Sequence, residues 1–376
     1  MTSLPPHLYR EKGRTAGTPD NVIERALRQI ARTEAQGAGP ILSLKHLAQL
    51  TGAPYVYLRH IVQRVIYPYS DVLRSKRSGG WRRISVPEPY LMDVQRVILH
   101  RSLRSVGLHP HTFAYREGKS IVDCARLHVG ARYLIKFDLH NFFESIPEPR
   151  VFQVFSALGY SRLMSLELAR ICTNAPIRDW QRTPLRERYP TVGSYAVDVL
   201  GHLPQGAPTS GAIANVVATP MDIALYDFAT SVGLVYTRYS DDLTFSGAGS
   251  FERNSVRRVL RAVDEIVRRH GFSLHRKKTR VIPPGARHLV VGLMIDRDSV
   301  RLMPEFRRRV EVHIRGVKEF GLAKHTSFRG FRSIFSFIDH VNGCLAFAHH
   351  IEPEWAEKRQ KDWLKVLEEN KFPFTD

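Results

Sequence analysis

Cysteine is scarce in this sequence. Its 376 residues include only Cys124, Cys172 and Cys344, which are odd in number, widely spaced and never paired as CxxC. This spacing excludes a disulfide-stapled fold and a cysteine-based zinc site. We therefore expect the thiols to be buried and reduced.

Long apolar runs are missing as well. Residues 289–295 form one of the longest, and such a run is far shorter than the ~20 residues that a membrane-spanning helix needs. Residues 1–10 have no secretory signal pattern. The sequence predicts a soluble, cytoplasmic protein with no membrane partner.

Acidic residues are outnumbered. There are 36 Asp and Glu residues against 56 Lys and Arg residues, which gives a formal net charge of +20. Residues 250–332 alone contain 21 basic and 8 acidic residues. A surplus of this size favours a polyanionic partner, first of all a nucleic acid. The composition is otherwise that of a folded globular protein, since 43% of the residues are hydrophobic.

The beginning of the chain is predicted to be mostly helical. Residues 1–20 lack periodicity and are expected to form a flexible leader. Residues 21–35 have the spacing of a basic amphipathic helix, and residues 42–50 and 56–65 also have helical spacing. We predict a leader and helical extension over residues 1–60, whose helices either form a packing layer or contact nucleic acid.

Two segments predict β-hairpins. In residues 76–87 a glycine pair separates a basic cluster from an alternating apolar run. In residues 234–245 strand-forming residues flank a Ser-Asp-Asp centre, which puts carboxylates at a turn. Another strand, over residues 133–139, has Asp138 near its end. Beyond residue 292 the chain becomes basic and helical, which predicts a separate C-terminal helical lobe.

The aspartates near the strand ends are the candidate chemical groups. Asp138 and Asp241 are distant in the sequence, but neighbouring strands of one antiparallel sheet could bring their carboxylates together. Adjacent carboxylates repel each other unless a cation lies between them. A pair of Mg²⁺ ions, which prefer oxygen ligands, would satisfy such a site and would catalyse an in-line displacement.

Several motifs occur in a recognisable order. Residues 137–146 match a first catalytic-aspartate motif, residues 203–210 match an LPQG motif, and residues 239–242 match a YxDD hairpin. Through this ordered set the chain resembles retron-type reverse transcriptases over roughly residues 42–345.

The resemblance implies the α+β right-hand polymerase fold. Fingers and palm, the palm with an antiparallel sheet, would be interwoven over residues 61–296. A helical thumb would follow over residues 297–376, after the N-terminal helical extension.

The resemblance also implies an RNA-directed DNA polymerase, a nucleotidyltransferase that uses two Mg²⁺ ions. Asp138 and Asp241 would be catalytic metal ligands, and Asp242 would be the supporting catalytic carboxylate of the metal site. The carbonyl of Leu139 would complete the metal shell. A non-catalytic scaffold with the same fold is the alternative from another functional class, and the intact aspartates speak against it.

The same resemblance implies a dNTP-binding set. Phe143 would select deoxynucleotides by excluding a 2′-hydroxyl, although Phe143 could also be an ordinary core aromatic, as Phe142 is expected to be. The cations would contact the triphosphate, with a general nucleic-acid contact as the alternative for Lys278, and the LPQG residues would contact the template or nucleotide region. The set is Lys76, Arg82, Arg83, Phe143, Gln205, Gly206 and Lys278. The motif departs from the family at Gly211, where a proline often stands.

Two retron signatures are altered, and both are associated with recognition of the enzyme's own RNA. The NAxxH signature is CARLH here and keeps Ala125 and His128, while the VTG signature is the VVG of residues 290–292. The resemblance implies an RNA contact for His128. In the thumb, Arg307, Arg308 and Arg309 would grip a template–product duplex by its phosphates.

The resemblance finally implies a biological setting. The enzyme would copy a dedicated structured non-coding RNA that supplies both template and primer, and it would leave an RNA–DNA product, msDNA. Retrons act in anti-phage defence with a separate effector protein. The altered signatures favour an alternative, a defence-associated reverse transcriptase outside the retrons with another RNA or another way of priming.

Overall fold

The computed structural model describes residues 5–75, 80–175 and 200–370. Its N-terminal part is helical, as predicted. The helices are α1 (Pro6–Thr15), α2 (Asp20–Ala35), α3 (Leu44–Thr51) and α4 (Tyr55–Val62). The boundary that we predict after residue 60 lies within α4, which packs against a helix of the palm.

Helix α1 corrects the prediction of a flexible leader over residues 1–20. None of its residues is buried. The helix contacts α2 through exposed ion pairs of Arg10 with Glu24 and of Arg14 with Asp20, and the buried Ile23 of α2 lies against Gly13. These contacts are tertiary, and a local pattern does not reveal them.

The predicted fingers hairpin is present. Strands β1 (Tyr69–Ser75) and β2 (Trp81–Pro87) pair antiparallel, with Val72 opposite Ile84. The hairpin leads into α5 (Pro89–Ile98) and a π-helical turn at Leu99–Leu103. Lys76 lies outside the described residues.

An antiparallel four-stranded sheet forms the palm. Its strands are β3 (Tyr133–Asp138), β4 (Val235–Tyr239), β5 (Asp242–Gly247) and β6 (Arg280–Ile282), in the spatial order β4-β5-β3-β6. A large apolar core, which includes Phe137, Tyr236 and Phe245, joins the sheet to its helices. The helices of this region are α6 (Ile121–Arg126), α7 (Glu148–Ala157), α8 (Arg162–Cys172), α9 (Ser210–Ser231) and α10 (Arg253–Arg269).

A smaller sheet connects the palm to the thumb. Its strands are β7 (Leu289–Val290), β8 (Leu293–Ile295) and β9 (Val300–Arg301). It packs against α6 around Cys124, Leu134 and Leu293. Of the cysteines, all of which are free thiols, Cys124 and Cys172 are buried and Cys344 is half-buried.

Four helices then form a lobe with an apolar core of its own. They are α11 (Pro304–Phe320), α12 (Leu322–Phe328), α13 (Ile334–His349) and α14 (Pro353–Glu369). Val317, Phe337 and Trp363 lie in that core. We propose that the thumb begins at residue 297; β9 beyond that residue still pairs with β8, and the separate core of the lobe begins within α11. Helix, sheet and lobe together give the α+β right-hand architecture. No helix in the described ranges is long and apolar enough to cross a membrane.

Candidate active site

Three aspartates that are distant in the sequence meet at one edge of the palm sheet. Asp138 ends β3 and lies opposite Asp242, the first residue of β5. Asp241 is in the turn between β4 and β5, where Ser240 has a left-handed φ of 59°. The Leu139 amide donates to the Asp241 carbonyl at 2.8 Å. This hydrogen bond ties the turn to the end of β3.

The clustered carboxylates carry unfavourable like charge. Burial, and further the Asp138 carboxylate, raise the pKa of Asp241. Burial, and then the Asp241 carboxylate, raise the pKa of Asp242. The Lys278 ammonium donates to Asp138 Oδ2 at 2.7 Å and offsets part of the charge. The edge of the sheet therefore favours cations.

A cavity of about 610 Å³ opens beside the aspartates. The predicted site residues that line it are Arg82, Arg83, Asp138, Leu139, Phe143, Gln205, Asp241 and Lys278. Asp242 and Gly206 are not among the described residues of its lining. Lys277 and Arg280, which the motifs do not single out, line it as well. Carboxylates and several cations thus share one cavity, which is the charge pattern that a metal-bound triphosphate requires.

The two phenylalanines after Asp138 are core residues that also border the cavity. Phe143 is 8% exposed, and its ring packs edge-on against Tyr115, with centroids 5.9 Å apart. Phe142 is 3% exposed and packs against Phe143 and Phe272. Both line the cavity, so a role of Phe143 in sugar selection stays a proposal.

The LPQG loop is fastened to the fingers hairpin. The Ser85 amide donates to the Gln205 carbonyl at 2.8 Å. Gly206 has a φ of 122°, and a Cβ atom there would lie 2.9 Å from both Ile84 Cγ2 and the Ser85 carbonyl oxygen. Glycine is therefore required for the loop to approach β2. The predicted contact of Gly206 with nucleotide would have to come from its backbone.

Tyr115 is a residue that motif reasoning passed over. It has a left-handed φ of 57°, and its hydroxyl lies 3.2 Å from Ser240 Oγ, next to Asp241. A Cβ atom at position 211 would come within 2.3 Å of the Tyr115 ring. The departure from the family at Gly211 therefore makes room for Tyr115 in this structure.

A buried polar network contacts the turn that carries Asp241, here called the aspartate turn. Asp222 and Arg238 form a doubly hydrogen-bonded ion pair with no exposed side-chain surface. Arg238 Nη1 also donates to Asn215 Oδ1 at 2.9 Å and to the Ser240 carbonyl at 3.1 Å. Sequence reasoning did not find this pair, since Arg238 looks like a surface residue of a strand.

His128 does not fit its predicted role. It is 1% exposed, and its ring nitrogens are hydrogen-bonded to Ser246 Oγ and Thr237 Oγ1 at 2.7 Å each. Burial lowers the pKa of His128 to about 3, so the ring is neutral. The prediction of a direct RNA contact is wrong, because both polar atoms are used inside the protein. His128 links the turn after α6 to strands β4 and β5 instead.

The three thumb arginines differ in their surroundings. Arg307 is half-buried and forms an ion pair with Glu352. Arg308 and Arg309 are exposed, and the Arg309 guanidinium stacks over Phe306 at 5.1 Å from the ring centroid. Contact with nucleic acid stays a proposal for all three.

The site is compatible with Mg²⁺ on the chemistry of its donors. Within residues 5–75, 80–175 and 200–370, no three His, Cys, Asp or Glu side chains are grouped closely enough to hold a metal ion. Mg²⁺ needs fewer protein ligands, because it is usually held by one or two carboxylates together with substrate phosphates. Asp138 and Asp241 are such a pair, and Asp138 already has a cationic partner in Lys278.

Comparisons with known proteins identify the family of the chain. The family model described as "Reverse transcriptase (RNA-dependent DNA polymerase)" matches residues 74–303. The chain is 28% identical over 335 residues to the retron Ec86 reverse transcriptase of Escherichia coli, covering 88% of this chain and 91% of that protein. It is 31% identical over 309 residues to the retron Mx65 reverse transcriptase of Myxococcus xanthus, covering 80% and 66%.

The solved structures that match include a telomerase from Candida albicans in complex with a fragment of telomeric RNA. That similarity has a TM-score of 0.45 at 12% identity and covers 83% of this chain and 65% of the telomerase. The family match spans well over half of the chain, and the retron enzymes match most of it. The chain therefore belongs to the reverse transcriptase family, as a retron-type RNA-directed DNA polymerase.

Proposed function

We propose that the enzyme reverse transcribes a dedicated, structured non-coding RNA, which supplies template and primer, into the DNA of an msDNA. The observation that carries the chemical part is the meeting of Asp138 and Asp241 in a cavity that cations also line. The retron names of the relatives support the biological part, and so does the net charge of +20.

The residues of the site would have separate roles. Asp138 and Asp241, with the Leu139 carbonyl and Asp242 in support, would hold two Mg²⁺ ions. When bound, these ions activate the primer hydroxyl and neutralise the leaving pyrophosphate. The exposed β2 side chains Arg82 and Arg83 are near the cavity and would bind the dNTP triphosphate.

Other residues would orient the nucleotide. Lys278 would exchange its contact with Asp138 for a phosphate, and Lys76 would add a further cation from the hairpin. Phe143 would lie under the sugar and exclude a 2′-hydroxyl. Gln205 would contact the nucleotide or template, and Gly206 would let the backbone approach it.

The product would be an RNA–DNA molecule made in the cytoplasm. We propose that it acts in anti-phage defence through a separate effector protein. Arg308 and Arg309 are exposed on the thumb and would contact the phosphates of the template–product duplex, with Arg307 beside them.

The test is to express the enzyme with its native flanking DNA and to sequence the nucleic acid that copurifies, with and without RNase and debranching treatment. We expect a short, discrete DNA joined to RNA. Asp241→Asn should retain the RNA and lose the DNA, while the exposed Asp227→Asn should keep both. DNA in the Asp241→Asn sample at the wild-type level would refute the catalytic assignment, and RNA without DNA in the wild type would favour a scaffold.

A further inference from the structure

Two neighbouring cavities lie along α11 on the thumb. One of about 740 Å³ lies along the first part of the helix, and one of about 620 Å³ lies along its end and against α12. Val312 and Arg329 line both cavities, so the two join into one groove, here called the α11 groove. It shares no lining residue with the cavity beside Asp138.

The α11 groove is strongly cationic. Seven arginine and lysine side chains line it, against three glutamates. Arg308, Val312 and Arg315 are spaced by four and three residues, so they lie on one face of α11. Arg329 and Lys324 add charge from the side of α12. A polyanion is therefore the ligand that complements the groove.

Aromatic rings lie at the end of the same groove. Phe320 at the end of α11 is 63% exposed, and Phe328 at the end of α12 is 84% exposed. Both line the second cavity. A Cβ atom at Gly316 would lie 2.2 Å from the His325 ring, so this glycine lets α12 pack closely on α11. The close packing brings both phenylalanines to one cavity.

Exposed rings among cations are how proteins hold single-stranded nucleic acid, because the cations contact phosphates and the rings stack on bases. A duplex offers its phosphates but not its base faces, which are already stacked. We propose that the α11 groove binds an unpaired segment of RNA. Its bases would stack on Phe320 and Phe328, and Arg315, Lys324 and Arg329, which line the same cavity, would contact its phosphates.

This inference rests on the proposed function, since it names the part of the RNA that the enzyme holds outside the active site. The test measures binding of the full chain to a fluorescent single-stranded oligoribonucleotide and to the same sequence as a duplex. We expect the double variant Phe320→Ala/Phe328→Ala to weaken single-strand binding about tenfold or more. Duplex binding should change less than about twofold, because stacking on the rings contributes nothing there.

Two control variants sharpen the comparison. Phe335→Ala removes another phenylalanine of the thumb, 69% exposed on α13 and outside the groove, and should bind both RNAs as the wild type does. Phe320→Tyr/Phe328→Tyr keeps both rings and should restore single-strand binding. Three results with the double alanine variant would overturn the proposal. Its affinity for single-stranded RNA could be unchanged, or it could lose duplex binding to the same extent. It could also lose binding to an acidic apolar peptide while its binding to RNA is unchanged.

DNA synthesis by the wild type on a primed RNA template is measured in parallel. If the wild type synthesises DNA but the double alanine variant binds single strands normally, the groove assignment fails and the proposed function stands. If the wild type makes no DNA, the proposed function fails, and the binding comparison still decides the groove by itself.

Discussion

Replacing Asp222 with asparagine should lower the free energy of unfolding by about 3–5 kcal/mol, because it leaves the charge of Arg238 buried without a counter-charge. Neither side chain has any exposed surface, and Arg238 Nε and Nη2 donate to the two Asp222 oxygens at 2.7 Å each. Burial opposes the charge on Arg238, yet the Asp222 carboxylate raises the pKa of Arg238. Arginine cannot escape the penalty by losing its proton.

A surface ion pair provides the matched control. Asp264 and Arg268 also lie 2.7 Å apart, but their side chains are 33% and 57% exposed. Asp264→Asn should therefore cost no more than about 0.5 kcal/mol. Urea unfolding with an unchanged denaturant slope measures both values. If Asp222→Asn costs no more than Asp264→Asn, the reasoning about burial is refuted.

An apolar replacement of the pair separates stability from function. Asp222→Leu/Arg238→Met removes both charges, so it should regain at least about half of the stability lost by Asp222→Asn. DNA synthesis should stay impaired, because the donor to the Ser240 carbonyl, 3.1 Å from Arg238 Nη1, is gone. If activity returns together with stability, Arg238 does not hold the aspartate turn.

Three further outcomes are expected. Because burial lowers the pKa of His128 to about 3, only the unfolded state binds its proton as the pH falls below about 6.5. Acidification toward about pH 5 should thus lower the free energy of unfolding by about 1.4 kcal/mol per pH unit. Urea titrations at several pH values should show that this free energy depends less steeply on pH in His128→Gln than in the wild type. An equal pH dependence in the two proteins contradicts this prediction. Tyr115→Phe should lower kcat about fivefold by removing one hydrogen bond. Tyr115→Ala also removes the ring beside Phe143, so it should in addition reduce discrimination against ribonucleotides. Kinetics with dNTPs and rNTPs measure both effects, and unchanged discrimination in Tyr115→Ala refutes the second. Lys278→Gln should free Asp138, so it should lower the Mg²⁺ concentration for half-maximal DNA synthesis and raise the KM for dNTPs. The control Lys277→Gln should leave the Mg²⁺ requirement unchanged. A Mg²⁺ titration in which the two variants coincide contradicts this prediction.

Features with a local cause were predictable from the sequence. The amphipathic spacing of α2, the strand that ends in Asp138 and the hairpin turn at Asp241 all depend on residues close together in the chain. The motif order was sufficient to indicate the family and the fold. Helix α1 was missed because none of its residues is buried and its contacts are with α2, so a local pattern does not reveal them.

The sequence by itself therefore determined the family, the strand-and-turn framework and the aspartates of the candidate site. Only the tertiary structure decided which side chains surround them. His128 matched a motif but is buried. The motif could not reveal this, because a motif specifies a residue type and not its exposure. Tyr115 reaches Ser240 across 125 positions of the chain, and Arg238 meets Asp222 across 16. Such pairs leave no periodic signal, because they form only when separate elements pack together.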